Sequence, residues 1–226
     1  TKMNLAGNST DALTESFNAL EAFLGDADVL EKVRGYLGGA DADDAQVVVL
    51  KHIEKTLGEF DMAVAGSLDV DHGLTVPLSI AYDQPEKWPT KVIPLCVNVI
   101  QYPQPTPLRC FKLGQAIRRA VDSFDKDLSV GIWGTGGLSH QLGGERAGVV
   151  NPKFDNTFLD NMTKDPMANT RISHTDFIRE AGSEGIEMIM WNVMRGALNE
   201  TVKEVYRFYH IPVSATAYGG LILENE

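Results

Sequence analysis

The chain has 226 residues, of which 43% are hydrophobic and 23% charged, a composition typical of a single globular domain. Its formal net charge of −11 argues against a nucleic-acid partner and disfavours an anionic membrane surface, because no basic stripe offsets it. The apolar runs are too short to span a bilayer and no signal peptide is visible, so we expect a cytoplasmic protein with no membrane contact.

The first half of the chain is predicted to change from helices to strands. Hydrophobic spacing predicts helices near 10–24, 28–37 and 43–58, followed by strands at 62–68 and 92–100. A proline-rich loop then ends in Thr106 as a helix N-cap and Pro107 at the first helical position. The helix itself is expected over 108–124. Cys96 and Cys110, the two cysteines, lack the spacing of a zinc or disulfide framework, and their apolar neighbours predict buried thiols.

The second half begins with a short apolar strand, 128–133, and continues mainly as helices. These helices are predicted near 155–163, 174–181, 184–197 and 201–209, and a final strand is predicted from Thr216 to Leu223. Strands that alternate with helices imply an α/β fold, with a central mixed sheet flanked by helices. No repeat or linker divides the chain, so we expect one domain over 1–226.

The segment 131–148 is the most informative part of the sequence. Its glycines let the backbone bend sharply after the predicted strand and approach a ligand closely. The turn brings Thr135, Ser139 and His140 to one place, and loops beyond the ends of sheet strands are where open α/β folds bind ligands. Fold stability does not require a histidine there. The segment therefore indicates chemistry, with Thr135 as a candidate substrate contact.

Two of the five histidines stand out by position. His72 and His140 each follow a predicted strand and lie in a turn that contains glycine. A single loop histidine is usually structural, but two at equivalent sheet ends keep a functional interpretation open. For His52, His174 and His210 we expect structural or surface roles.

Glu187 is the third candidate. It falls on the apolar face of the predicted helix 184–197, for which Ser183 is the expected N-cap. A carboxylate on such a face is unfavourable unless it is paired or binds a metal. An ion pair with Arg146 or Arg195 remains the structural alternative.

These residue types narrow the possible chemistry. Two imidazoles, from His72 and His140, and the Glu187 carboxylate would suit a non-heme iron triad, although spacing alone is a weak indication. Serine hydrolysis is disfavoured because Ser139 adjoins His140 and no Gly-x-Ser-x-Gly elbow occurs. The glycine-rich turn also lacks the Lys-Ser/Thr ending of a phosphate loop.

Several segments, in order, resemble the family of the β subunit of protocatechuate 4,5-dioxygenase, an extradiol (meta-cleaving) ring dioxygenase. The resemblance runs from about Phe60 to the C-terminus and is carried by 69–78, 133–148, 182–187, 194–198 and 208–212. It implies an Fe(II) site built from two histidines and one glutamate. It also implies cleavage of a catecholic aromatic acid, protocatechuate- or gallate-like, by O2 to a muconic semialdehyde-type product.

The resemblance also implies a role for each matching residue. Glu187 matches the glutamate metal ligand, and His140 matches the acid–base histidine. His72 matches a histidine that contacts substrate or oxygen, so neither His72 nor His140 would bind the metal. Ser214 matches a serine that contacts substrate. As in the family, a small helical α subunit could cover the active site, and a homo-oligomer is the alternative partner.

Two departures from the family pattern matter. The family's iron-binding histidines lie in Ser-His-x-Pro and Asn-Asp-His turns, neither of which occurs in residues 1–60, so the two histidine ligands are not identifiable. Residues 1–45 match the family poorly, and we favour segments missing there over a loss of metal binding. Such a loss would make the chain a catalytically silent paralogue, a structural or regulatory subunit; a different metal-dependent activity is a third alternative. Ala215 replaces an asparagine of the protocatechuate enzyme, which leaves the exact substrate open.

Overall fold

The structure is a computed structural model that describes residues 72–226 together with 52, 53, 55–57, 59 and 60. The helices predicted at 10–24 and 28–37 and the strand predicted at 62–68 lie outside these residues. The third predicted helix is seen only at its end. There, the amide of Leu57 donates a 2.8 Å hydrogen bond to the carbonyl of Ile53, as expected for helix.

The described part of the chain contains helices and one small sheet. In chain order these are α1 (His72–Tyr82), α2 (Pro107–Asp122), α3 (Pro152–Lys164), α4 (Pro166–Thr170), α5 (His174–Ala181), a 3₁₀ helix (Glu184–Met190), α6 (Trp191–Gly196), β1 (Val202–His210) and β2 (Tyr218–Asn225). None of the helices in this part combines the length and apolar character that a membrane crossing requires.

Local capping signals set the helix starts that the sequence predicts. The Thr106 hydroxyl accepts a 3.1 Å hydrogen bond from the amide of Arg109, with Pro107 at the first position of α2, which confirms the predicted start. Helices α3 and α5 confirm the predictions near 155–163 and 174–181. The prediction for Ser183 is wrong: its backbone is already helical and its side chain makes no cap, because the segment that follows is a 3₁₀ helix.

β1 and β2 form an antiparallel hairpin in which Val202 pairs with Asn225 and His210 with Tyr218. The helix predicted over 201–209 is therefore wrong. Its apolar residues are spaced for a helical face, but the segment is also rich in β-branched and aromatic side chains. Pairing with β2 decides between the two, a case in which tertiary context outweighs local pattern. The predicted final strand is confirmed.

The strands predicted at 92–100 and 128–133 are not formed, since neither segment joins a β-ladder. A strand needs a hydrogen-bonded partner, and another predicted strand, 62–68, lies outside the described residues. Within the described ranges the one sheet is the β1–β2 hairpin. The fold seen is thus helices with a small antiparallel sheet, and the central mixed sheet stays a prediction.

The core lies where α3, α5 and α6 meet. The Phe158 ring is fully buried and makes T-shaped contacts with Phe177 at 6.1 Å and with Trp191 at 6.3 Å between centroids. Leu138, from the glycine-rich segment, is 1% exposed and belongs to the same cluster. The loop that carries His140 is therefore anchored in the core by an apolar side chain, which favours a single position for it.

The two cysteines differ. Cys110 is buried in α2, as predicted, and burial raises the pKa of its thiol to about 12. Cys96 is exposed, so the prediction of a buried thiol is wrong for it. It lies in the segment for which a buried strand was predicted, and the absence of that strand leaves the side chain on the surface.

Candidate functional site

The loop before His140 is held by backbone hydrogen bonds from two sides. The amide of Leu138 donates to the carbonyl of Ala217 at 3.2 Å, and the amide of Ala217 donates to the carbonyl of Ser139 at 3.0 Å. The amide of His140 donates to the carbonyl of Ala181, at the end of α5, at 2.7 Å. The loop is thus fixed between α5 and the start of β2 without the strand predicted ahead of it.

The His140 ring is buried, with 7% of the residue exposed, and its Nδ1 lies 2.8 Å from the carbonyl oxygen of Leu138. Because a carbonyl oxygen can only accept, Nδ1 must carry the hydrogen. In the neutral ring, Nε2 then holds the lone pair that can take a proton. This tautomer is the one a general base needs.

Two adjacent glycines make room on both sides of the loop. A Cβ on Gly137 would lie 2.7 Å from Cε1 of the His140 ring. Gly136 has φ of +135°, and a Cβ there would lie 2.9 Å from the Cβ of Glu187. Both positions therefore require glycine, one for backbone conformation and both for close approach. His140 and Glu187 are the two side chains that these glycines admit.

Glu187 lies in the 3₁₀ helix and is partly exposed. Its Oε2 accepts a 3.2 Å hydrogen bond from the amide of Gly137, while the indole of Trp191 donates to the carbonyl of Gly136 at 3.1 Å. The ion pair considered for Glu187 is not formed in the described part of the chain. The guanidinium groups of Arg146 and Arg195 bind backbone carbonyls instead.

Asp155 is a site-region residue that sequence reasoning missed. It lies in the first turn of α3 and is fully buried. Its carboxylate accepts hydrogen bonds from the amide of Ser139 at 3.0 Å, from the Ser139 hydroxyl at 2.6 Å and from the Tyr209 hydroxyl at 2.8 Å. Burial raises the pKa of this carboxyl, and the hydrogen bonds from Ser139 and Tyr209 oppose the rise. The sequence did contain one indication that Asp155 is buried. It lies between Phe154 and Phe158, which mark the buried face of α3.

The two predicted substrate contacts, Ser214 and Thr135, differ in exposure and in their position along the His140 loop. Ser214 is exposed in the connection between β1 and β2, two residues before Thr216, which forms an isolated β-bridge with His140. Thr135 is partly buried one residue before Gly136. The structure therefore brings the Ser214 turn and the Glu187 contact to opposite ends of the His140 loop.

His72 is the first residue of α1 and is exposed, so His72 and Gly73 are helical where a turn was predicted. No hydrogen bond between His72 and the His140 loop occurs within the residues that the structure describes. The strand predicted at 62–68 and the first three residues of that turn, 69–71, lie outside the described residues. A role for His72 at the site stays a prediction.

Two of the remaining histidines, His52 and His174, have partners that fit the expected structural roles. The His52 ring nitrogen Nε2 lies 2.9 Å from the carbonyl of Ala120, and the ring packs edge-on against Phe124. His174 Nε2 lies 2.9 Å from the carbonyl of Pro105. Among the described residues, no group of three histidine, cysteine, aspartate or glutamate side chains is close enough together to hold a metal ion.

Comparison with known proteins gives one consistent result. Residues 46–219 match the family described as the catalytic LigB subunit of aromatic ring-opening dioxygenase. The chain is 43% identical to gallate dioxygenase of Pseudomonas putida over 177 residues, which is 77% of this chain and 52% of that enzyme. It is 32% identical to 2,3-dihydroxyphenylpropionate/2,3-dihydroxicinnamic acid 1,2-dioxygenase of Photorhabdus laumondii over 114 residues, 50% of this chain and 35% of that protein. The chain thus spans about half the length, or less, of these curated relatives, and the match confirms the resemblance noted in the sequence.

Proposed function

Because this chain belongs to the family of catalytic LigB subunits of aromatic ring-opening dioxygenases, we propose that it catalyses extradiol cleavage of a catecholic aromatic acid by O2. The product would be of the muconic semialdehyde type. The observation that carries the proposal is the buried His140 ring, whose Nδ1 must donate to the carbonyl of Leu138 and whose Nε2 is left as a base. Glu187 binds the same short turn, at Gly137.

The substrate class we propose is a gallate-like or protocatechuate-like acid. The relative named gallate dioxygenase shares 43% identity over most of this chain, which favours gallate as the first compound to test. Ala215, in place of the asparagine of the protocatechuate enzyme, has a methyl group that cannot form hydrogen bonds to substrate, so it leaves the exact substrate open and protocatechuate is tested beside gallate.

Fe(II) is the cofactor that the family resemblance implies, and we propose Glu187 as one of its ligands. A partly exposed carboxylate with one oxygen bound to an amide suits a site of two histidines and one carboxylate. The residues described here do not complete such a site, since they offer no cluster of three ligands. When bound, the metal would supply the centre at which the diol and O2 meet.

The chain's own residues would supply proton transfer and orientation. His140 Nε2 would take a proton from a substrate hydroxyl and return it as the ring opens, the general acid–base role that histidine most often fills in enzymes. The hydroxyls of Ser214 and Thr135 would bind polar groups of the substrate. His72 would bind a substrate oxygen once substrate is present.

A covering partner fits two exposed apolar side chains beside the site. Leu142, two residues after His140, is 72% exposed, and Val213, just before Ser214, is 98% exposed. Contact with a small helical subunit or with a second copy of the chain would remove both from water. We propose that one of these partners covers the site. We also propose that the chain is a single catalytic domain with a central mixed sheet, and that it works in the cytoplasm.

The test is oxygen uptake by the anaerobically iron-loaded protein with gallate, protocatechuate and catechol. Replacing His140→Gln is expected to lower turnover by about 10²-fold or more, the usual contribution of a general acid–base group. Iron content should stay at the wild-type level. A wild-type protein that neither binds iron nor consumes oxygen with any catechol would instead support the silent-paralogue alternative. Normal turnover by the variant would contradict the role of His140.

A further inference from the structure

We propose that Asp155 is a positioning residue for His140, acting through Ser139 and held in place by Tyr209. The expected effect on turnover rests on the proposed function, whereas the expected effect on the position of the His140 ring does not. None of the three residues was singled out as catalytic by the sequence, and the family resemblance assigned none of them a role. They lie on three separate segments: the glycine-rich loop, α3 and β1.

The contacts form one continuous chain of hydrogen bonds. The amide of Asn151 donates to Ser139 Oγ at 2.7 Å, and the Ser139 hydroxyl donates to Asp155 Oδ2 at 2.6 Å. The Tyr209 hydroxyl donates to the same Oδ2 at 2.8 Å, and the Ser139 amide donates to Oδ1 at 3.0 Å. Because Ser139 Oγ accepts one bond and donates another, its hydroxyl has a single orientation.

The placement of Asp155 is unfavourable for stability alone. Ser139 and Asp155 are both 0% exposed, and none of the ion pairs in the described part of the chain includes Asp155. A buried carboxylate without a cation loses more hydration than an apolar side chain of similar size would. Three donors offset that loss here. Such a complete polar network fixes one arrangement of its members, which an apolar contact would not do.

The arrangement that it fixes is the peptide segment that carries His140. Ser139 is bonded through its amide and hydroxyl to Asp155 and through its carbonyl to Ala217, so it has no freedom to shift. His140 follows directly, and its own amide is bound to Ala181. Only the rotation of the His140 ring remains, and Leu138 restricts that. A misplacement of about 1 Å in a reacting group can lower a rate by about 100-fold, so such anchoring has a catalytic consequence.

The test uses three variants and a matched control. Tyr209→Phe removes one oxygen atom, Ser139→Ala removes the hydroxyl link, and Asp155→Asn keeps the shape but removes the charge. Asp160→Asn is the control. Asp160 also lies on α3 and bonds to Arg207 of β1, so it joins the same two elements without touching the His140 loop.

The first readout is steady-state oxygen uptake. Each of the three variants is expected to lower kcat by about 10-fold while KM for gallate changes less than about threefold, because ring position and not substrate binding is altered. Asp160→Asn should keep the wild-type kcat. Values of kcat within twofold of wild type for all three variants would overturn the inference. Circular dichroism checks that each variant is folded, and Tyr209→Phe, the mildest change, keeps the test usable if the others are not.

The second readout does not depend on turnover or on iron. ¹⁵N-labelled histidine shows in NMR which ring nitrogen of each of the five histidines carries the proton, and His140→Gln assigns the His140 signal. The wild-type and Asp160→Asn proteins should show His140 as a slowly exchanging Nδ1–H tautomer. Ser139→Ala and Asp155→Asn should broaden or lose that signal. If the wild-type protein does not cleave the ring but the His140 signal changes in these variants, the proposed function fails and the positioning role stands. An unchanged His140 signal in both Ser139→Ala and Asp155→Asn would overturn the positioning role.

Discussion

The amide of Gly137 lies 3.2 Å from Oε2 of Glu187, and the missing side chain of the same glycine makes room for the ring of His140. One residue without a side chain therefore sets the distance between the proposed metal ligand and the proposed base. Neither of these side chains contacts the other directly through a hydrogen bond in the described part of the chain. Gly137 is the residue that links the positions of Glu187 and His140.

Gly137→Ala should disable catalysis. The new methyl would lie 2.7 Å from Cε1 of His140, so the ring has to move. We expect a decrease in kcat of about 100-fold, measured by oxygen uptake. Gly143→Ala is the control on the same loop, since nothing lies within 4 Å of a Cβ there. Equal activities of the two variants would contradict this view of Gly137.

Glu187→Gln should abolish iron binding while the loop stays intact. The amide oxygen of glutamine can still accept from Gly137, but it lacks the negative charge that a metal ligand contributes. Iron per chain, measured after anaerobic loading and desalting, is expected to fall well below the wild-type value. Glu184→Gln, three residues earlier in the same 3₁₀ helix, should keep its iron. Stoichiometric iron in the Glu187 variant would show that Glu187 is not a ligand.

Ala215→Gly should stabilise the protein. Ala215 has φ of +55°, a left-handed conformation in which a Cβ is strained. Removing that strain is expected to raise the free energy of unfolding by about 1 kcal/mol and the Tm by about 2–4 °C for a chain of this size. Ala215→Asn should have a smaller effect of the same sign, and Ala215→Val the opposite one. Differential scanning calorimetry measures all three.

Arg195→Lys should destabilise the protein strongly although the charge is kept. Arg195 is 1% exposed, and its guanidinium donates to the carbonyls of Met162 at 2.6 Å, Asn199 at 2.7 Å and Glu200 at 2.7 Å. A single ammonium group cannot match this fork, and each carbonyl left unpaired costs about 1–3 kcal/mol. Urea denaturation should show the loss. Arg171→Lys, in an exposed ion pair with Asp165, should stay within about 0.5 kcal/mol of wild type.

The buried carboxyl of Asp155 should leave a signature in the pH dependence of stability. Its pKa in the folded protein is raised above its ordinary value of 3.8, mainly by burial, so the folded state binds the proton more tightly than the unfolded state. Its contribution to stability is therefore greatest below pH 3.8 and is lost as pH rises through the higher folded pKa. The free energy of unfolding of Asp155→Asn, minus that of wild type, should increase over this rise in pH. A difference independent of pH would contradict the raised pKa.

A structural feature could be predicted from the sequence where the residues that determine it lie close together along the chain. Helix α2 was predictable because Thr106 and Pro107 are adjacent to the residues that they cap. β1 was not, because its apolar spacing also suits a helix and the decision comes from pairing with β2. Likewise, the partners of Asp155 lie 16 and 54 positions away, at Ser139 and Tyr209. Glycine positions and the histidine turn pointed to the site, but this buried network could only be seen in three dimensions.

The isolated bridge between His140 and Thr216 has a consequence for how such enzymes diversify. It fixes the base to the first residues after the β1–β2 turn, so residues 211–215 lie outside the fastened segment. If His140 and Ser214 have the proposed roles, substitutions in that turn would be expected to alter substrate preference while the His140 backbone keeps its place. The fold would then hold the proposed base and the proposed substrate contact on separately anchored segments.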